Sequence, residues 1–257
     1  MNTRSPTQRF GDRVEAYVRA RPDYPAALVG VLAERAGLEP STVVADVGSG
    51  TGILTRLLLP HAARVYAVEP NGPMRAAAEA ALGHLRGFRS IDATAEATGL
   101  AGASVGLVTA AQAFHWFDRG RTRTEFERIL MPGGAVALVW NDRRLRGSDF
   151  LEGYEALLVH HCPEYLKVVH RNITPEVVAE FFHPGRVDCA VLDHAQVLDW
   201  ELLLARHESQ SYVPKEGPAR AALLEDLRRL HAATAAADGT VVFAYDTLAY
   251  VGRFGHD

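Results

Sequence analysis

The sequence predicts a doubly wound α/β fold, a parallel sheet with helices on both faces. Three observations carry that prediction. Between residues 42 and 140, short runs rich in Val, Ala and Leu alternate with helical segments, and repeated β-α units of this kind build parallel sheets. The first apolar run ends in Asp46-Val47-Gly48-Ser49-Gly50-Thr51-Gly52, a glycine turn that leads straight into a helix. The second run closes on an acid, Glu69, and the carboxyl ends of strands are where such sheets bind ligands.

Taken in order, residues 1–10 are polar and predicted to be loose. Phe10, Val14, Tyr17 and Val18 recur at helical spacing, so a short amphipathic helix is expected over 10–24, ended by Pro22 and Pro25. Residues 26–36 read as a second helix stopped by Gly37. Strands are then expected at 42–47, 64–69, 87–91, 104–110 and 135–140, with helices at 52–61, 72–84 and 119–130, and a weak helix or turn at 95–100. Met131-Pro132-Gly133-Gly134 reads as the break before the fifth strand.

After Asn141 the rhythm changes. Residues 149–162 and 175–182 look helical between polar connections, which points to an inserted helical cap. Further on, 187–197 and 241–251 read as strands, and 200–208 and 216–236 as helices. The organisation expected is therefore four-part: N-terminal helices over 1–40 that close the site, a cofactor-binding core over 41–141, the cap over 142–186, and the remaining strands and helices over 187–257.

Composition narrows the partners. A net charge of −4, from 27 basic and 31 acidic residues, makes no electrostatic case for nucleic acid or an anionic membrane. No apolar run is long enough for a membrane span, and the first residues lack the apolar core of a signal peptide. Cys162 and Cys189 read as reduced thiols, and the chain as a cytoplasmic monomer or homodimer acting on a small molecule. His160, His161, Cys162 and His170 suggest a metal. Neighbouring histidines on a helix point about 100° apart, however, so no metal is expected.

Gly48, Gly50 and Gly52 are spaced G-x-G-x-G rather than the G-x-G-x-x-G of dinucleotide folds. Glu69 follows Gly48 at a distance suited to accepting hydrogen bonds from a ribose diol. Turn and acid together indicate a nucleoside-bearing cofactor. Asp46 to Gly52 resembles the first motif of class I S-adenosylmethionine-dependent methyltransferases, and Val68-Glu69-Pro70-Asn71-Gly72-Pro73-Met74 resembles their second. The string Ala111-Gln112-Ala113-Phe114-His115-Trp116-Phe117-Asp118, with Tyr17, Arg21 to Pro25 and His207 to Val213, is similar to the small-molecule branch that includes the trans-aconitate methyltransferase-like proteins.

The resemblance implies a Rossmann-like, seven-stranded, mostly parallel sheet whose last strand is antiparallel, with S-adenosyl-L-methionine as cofactor and S-adenosyl-L-homocysteine as product. It implies that Asp46, Gly48, Gly50 and Gly52 surround the methionine part, the Asp46 carboxylate reaching its ammonium directly or through water. Ser49, Pro70 and Gln112 belong to the same cofactor set, and Glu69 holds the ribose hydroxyls. Met74 packs on the adenine or fills the core. The third motif departs from the family's pattern: Thr94 and the Ala95 backbone are expected near the adenine, with Asp92 the rival.

Methyl transfer from a sulfonium needs alignment of nucleophile, methyl and sulfur, and exclusion of water. A carboxylate acceptor needs no base; for a hydroxyl or amine, His115 is the candidate general base, or else a residue that hydrogen-bonds locally. Arg21 either clamps an acidic substrate or forms a salt bridge. Tyr17, Tyr24, Trp116, Asn141 and Tyr212 complete the candidate substrate set. Two other classes compete: a nicotinamide-dependent oxidoreductase, disfavoured by the glycine spacing, and a non-catalytic cofactor binder.

Overall fold

A computed structural model describes residues 21–168 and 173–255. Its frame is a seven-stranded sheet. The elements are α1 (Ala27–Ala36), β1 (Val43–Val47), α2 (Ile53–Leu58), β2 (Arg64–Val68), α3 (Gly72–Leu82), β3 (Phe88–Ile91), β4 (Val105–Ala111), α4 (Arg119–Ile129) and β5 (Leu130–Arg143). They continue with α5 (Asp149–His161), α6 (Tyr165–Val168), α7 (Pro175–Phe182), β6 (Arg186–Leu198), α8 (Trp200–Glu208), α9 (Gly217–Thr234) and β7 (Val241–Arg253). The strands lie in the order β3-β2-β1-β4-β5-β7-β6. β1 to β5 run parallel, and β7 is antiparallel to both of its neighbours. The doubly wound sheet with an antiparallel last strand is thus the observed fold.

Period-two alternation explains how both faces are buried. Val44 of β1 and Ala135, Ala137 and Val139 of β5 face α1, α2 and α3. Ala45 and Val47, with Val136, Leu138 and Trp140, face α4 and α7 on the other side. Helix starts are set by side chains: Asn71, Asp118, Ser148, Thr174 and Asp199 each accept a first-turn backbone N–H. Gly37 ends α1 with φ +71°, a left-handed conformation that favours glycine.

Two expectations need correction. The fifth strand does not begin at Ala135. It pairs with β4 from Leu130, slips register opposite Val105 to Leu107, and continues to Arg143 because β7 supplies a partner that far. Of the two readings for 95–100, helix or turn, the structure has the turn: Thr94 bridges Ala97, and the Thr98 N–H and hydroxyl both go to Glu125 on α4. Of the stretch 142–186 expected as a cap, α5 packs apart from the parallel sheet but α7 does not. α7 is a sheet-covering helix, with Val178, Phe181 and Phe182 packed among Phe114, Phe126 and Trp140.

The layer over the carboxyl ends of the strands joins α5 to segments distant in sequence. β6 and β7 extend past the parallel sheet, paired from Asp193↔Asp246 to Leu198↔Val241. Phe243 and Tyr245 on that extension form a separate core with Phe150, Tyr154 and Leu158 of α5, Leu203 of α8, and Leu223 and Leu227 of α9. The expected N-terminal helix over 10–24 lies outside the described residues apart from 21–24, which are irregular.

Candidate active site

The chain runs outward through β1, β2 and β3, then returns to place β4 on the other side of β1. That reversal leaves a crevice at the carboxyl ends of β1 and β4. The glycine turn sits there, stapled to β2 by the Val68 carbonyl, which accepts from the N–H groups of both Gly48 and Ser49 at 2.8 and 3.1 Å.

The three glycines are not equivalent. All have positive φ, at +68°, +57° and +81°. A Cβ on Gly48 would lie 2.5 Å from the Ala113 Cβ, and one on Gly52 would lie 2.6 Å from Leu82 Cδ1. Those two are glycines because the protein packs against them. A Cβ on Gly50 would meet only Met74 Cε, at 3.6 Å, so open space lies over Gly50, with the buried Met74 thioether as a wall. The Ser49 hydroxyl is buried with no hydrogen-bond partner.

Glu69 leaves the end of β2 with its carboxylate aimed back at the turn. Its Oε2 accepts from Gly50 N–H at 2.9 Å and its Oε1 from Asn71 N–H at 2.8 Å. Each oxygen keeps a lone pair for a further donor. Burial raises its pKa, opposed by the two backbone hydrogen bonds. Pro70 beside it is half-buried.

Asp46, at the end of β1, is tied into the frame of the sheet. It is fully buried beneath the turn. Oδ2 accepts from Thr55 Oγ1 at 2.5 Å and Oδ1 from Thr109 Oγ1 at 2.9 Å, tying β1 to α2 and β4. Burial pushes its pKa up to about 6, against those hydrogen bonds. Asp92 is exposed and taken by Arg75 in a two-point ion pair of 2.9 and 2.8 Å. Thr94 stays exposed and Ala95 is buried in the core.

At the end of β4, Gln112 is a non-glycine residue at φ +57°, a conformation that costs energy and is held by its surroundings. Its N–H goes to the Val139 carbonyl at 2.9 Å and its side-chain amide to the Asn141 carbonyl at 3.3 Å. A cavity of about 320 Å³ opens beside it. Gln112, His115 and Trp116 line it from the β4 loop, Arg21 and Tyr24 from the N-terminal segment, Asn141 from β5 and Tyr212 from the loop after α8. The structure therefore gathers every described member of the expected substrate set around one cavity; Tyr17 lies outside the described residues.

Asn141 is also a structural tie. Its Nδ2 donates to the Asp23 carbonyl at 2.8 Å and its Oδ1 accepts from Thr247 at 2.6 Å. His115 sits in a single 3-10 turn, Phe114–Trp116, its ring 4.7 Å from that of Trp116. Phe114 points away into the core against Phe181, 4.7 Å between rings.

Sequence reasoning missed Arg143, Tyr165, Arg206, Gln210 and Tyr245, all of which line the cavity. They come from the end of β5, from α6, from α8 and its following loop, and from β7. No motif or spacing marks them, except that Gln210 falls within the string His207 to Val213. A chain of hydrogen bonds fixes part of this wall: Tyr212 to the Gln210 side-chain Oε1, the Gln210 Nε2 to the Tyr154 hydroxyl at 3.1 Å, and Tyr154 to buried His207 at 3.0 Å.

Sheet order, glycine turn and ribose-type acid define a Rossmann-like domain for a nucleoside-bearing ligand, with a second cavity adjoining it. Comparison with known proteins identifies the kind. Residues 45–138 match the family of the methyltransferase domain. An uncharacterized methyltransferase of Mycobacterium tuberculosis is 40% identical over 134 residues, 52% of each chain. An uncharacterized methyltransferase-like protein of Schizosaccharomyces pombe is 33% identical over 139 residues, again 52% of each. The match thus spans about half the length of these relatives. A solved structure from Anaeromyxobacter dehalogenans, provisionally described as a type II methyltransferase, aligns with a TM-score of 0.67 at 27% identity, covering 92% of this chain and 99% of its own. Residues 45–138 thus match a methyltransferase domain, within a chain that shares its fold with that solved structure.

Proposed function

We propose that this protein transfers a methyl group from S-adenosyl-L-methionine to a small molecule, at a carboxylate oxygen. The observation that carries the reading is the meeting of two spaces: Ile53, Gln112 and His115, next to the glycine turn, are also walls of the aromatic cavity. A donor over the turn and an acceptor in the cavity would then meet at Gln112.

The residues present fit the donor. The space over Gly50, the unpartnered Ser49 hydroxyl and the backbone-held Glu69 carboxylate suit an amino-acid tail and a ribose diol. Met74 and the Thr94–Ala95 backbone suit the adenine; the engagement of Asp92 by Arg75 argues against Asp92 there. The bound donor supplies an electrophilic methyl on sulfur. The chain's own part is to hold the turn rigid, to present the acceptor in line, and to keep water out with Tyr24, Trp116, Trp140 and Tyr212. A carboxylate acceptor needs no proton removed; for a hydroxyl or amine, His115 is the group in position to take it. Asp46 supports this site from below.

The test is incubation of the protein with isotopically labelled methyl donor and a metabolite extract, followed by mass spectrometry. The expected product is a labelled small molecule heavier by one methylene, lost on mild alkaline hydrolysis as an ester is. Donor binding with no labelled small molecule would overturn the proposal, and an alkali-stable product would move the methyl to another atom.

A further inference from the structure

The wall of the cavity farthest from the glycine turn holds a charge with no counterpart. Arg206, on α8, is only 6% exposed and lines the cavity. Its Nε and Nη1 have no hydrogen-bond partner. Its surroundings are tyrosines: Tyr154, Tyr212 and Tyr245 lie near. Among the described residues no carboxylate pairs with it. Buried guanidinium groups are ordinarily paired, because desolvating the charge is unfavourable.

The neighbouring cations differ. Arg143 is paired, its Nη2 2.5 Å from Glu155 and 3.2 Å from the Tyr165 hydroxyl, but its Nη1 is also buried without a partner. Arg21 donates to the Ser209 carbonyl at 3.4 Å. The guanidinium carbons of Arg143 and Arg206 each lie 6.0 Å from the centre of the Phe243 ring, so they flank one side chain. Among the described residues, Arg206 and Arg143 thus hold three buried guanidinium nitrogens without acceptors in the cavity wall, two on Arg206 and one on Arg143.

Their position along the sheet separates them from the donor. Gln112 is held at Val139, whereas Arg143 stands opposite Tyr245 in the β5–β7 ladder. From Val139 to Arg143 the strand advances roughly 13 Å. A group bound at Arg206 is therefore not at the Gln112 end. It is also a poor nucleophile, because a two-point grip by guanidinium engages the oxygen lone pairs.

We propose that Arg206, assisted by Arg143, forms an anion subsite that anchors a non-reacting carboxylate or phosphate of the acceptor. The acceptor is then bifunctional, with its anchored anion at one end of the cavity and its reacting atom at the other. Only the word acceptor rests on the methyl-transfer reading; the anion subsite stands on the unpartnered buried donors.

The full chain is titrated with glutarate, with glycerol 3-phosphate and with neutral glutaramide at constant ionic strength, following tryptophan fluorescence (Trp116 and Trp140 line the cavity) and Tm. Saturable binding of glutarate or glycerol 3-phosphate, with none of glutaramide, is expected, and the tighter of the two anions tells carboxylate from phosphate. Arg206→Gln should weaken that binding roughly tenfold to a hundredfold, the usual range for a charged hydrogen-bond pair, while Arg206→Lys retains part of it. S-adenosylmethionine affinity, measured by calorimetry, should be the same in all three proteins. A loss of donor binding in the wild type would count against the methyl-transfer reading instead. No saturable response to either anion in the wild type, an equal response to glutaramide, or unchanged anion affinity in folded Arg206→Gln would overturn the subsite. If the glutamine variant does not fold, the wild-type contrast between anion and amide and the lysine variant decide.

Discussion

Substituting alanine at each of the three turn glycines separates packing from ligand space. All three positions have positive φ, which costs an alanine about 1–2 kcal/mol. At Gly50 that is the whole expected cost to stability, because the new methyl meets nothing closer than Met74 Cε at 3.6 Å. At Gly52 the methyl arrives 2.6 Å from Leu82 Cδ1, a side chain 1% exposed and held in the core. Overpacking of that kind adds about 1–3 kcal/mol. Gly48 is similar, with the Ala113 Cβ at 2.5 Å and the Phe117 ring at 3.2 Å. The total for Gly48→Ala or Gly52→Ala is therefore about 2–5 kcal/mol. Donor affinity should rank the other way, since only the Gly50 methyl enters the open space. Urea unfolding gives the stabilities, and calorimetry with S-adenosylhomocysteine gives the affinities. Gly50→Ala should be the most stable variant and bind at least about tenfold more weakly than wild type. Equal destabilisation at all three sites, or wild-type affinity in Gly50→Ala, would refute the assignment of the space over Gly50 to the ligand.

Glu69→Ala should weaken donor binding by about 1.5–3 kcal/mol, as for lost hydrogen bonds to a charged group. It should also lower Tm, because the carboxylate secures Gly50 and Asn71; a variant with unchanged donor affinity would remove Glu69 from the site. Asp46 sets a pH dependence. Its folded pKa of about 6 lies above the ordinary aspartate value of 3.8, so its contribution to stability is fully present below the unfolded value and is lost as pH rises through about 6. About two units amount to about 3 kcal/mol, and donor-free Asp46→Asn should be less destabilised by a rise from about pH 4 to about pH 7 than wild type. Identical pH profiles of urea midpoint would contradict that. His115→Ala should lower turnover with donor affinity nearly intact, and parallel loss of both would make it a structural residue.

The cofactor half of the site was legible because it is local. A glycine turn, the strand before it and the acid at the next strand end lie within some two dozen residues, and the backbone itself dictates their form. Even there, the spacing did not tell Gly50, which borders open space, from Gly48 and Gly52, which border Ala113 and Leu82. Nor did the motif reveal that the Asp46 carboxylate is taken by Thr55 and Thr109. Those partners come from other elements, and sequence distance hides them.

The acceptor half was legible only in part. Trp116 and His115 announced themselves as an unusual aromatic string, and Arg21 and Tyr24 by their place in the proline turn from Arg21 to Pro25. Residues 175–182 were read as cap because they have the pattern of any amphipathic helix, and only packing on Phe114 and Trp140 assigns them to the sheet. Arg206 was invisible for a related reason. Leu203, Ala205, Arg206 and His207 are all buried, so the helix shows no polar face on which a charged residue would look out of place. By itself, the sequence determined the alternation of strands and helices, the glycine turn and its acid, since these follow from short-range backbone and side-chain preferences. The tertiary structure alone decided how far β5, β6 and β7 extend together, and hence that residues more than sixty positions apart, such as Arg143 and Arg206, share one cavity wall. Long-range strand pairing, which no local pattern encodes, is what brings them there.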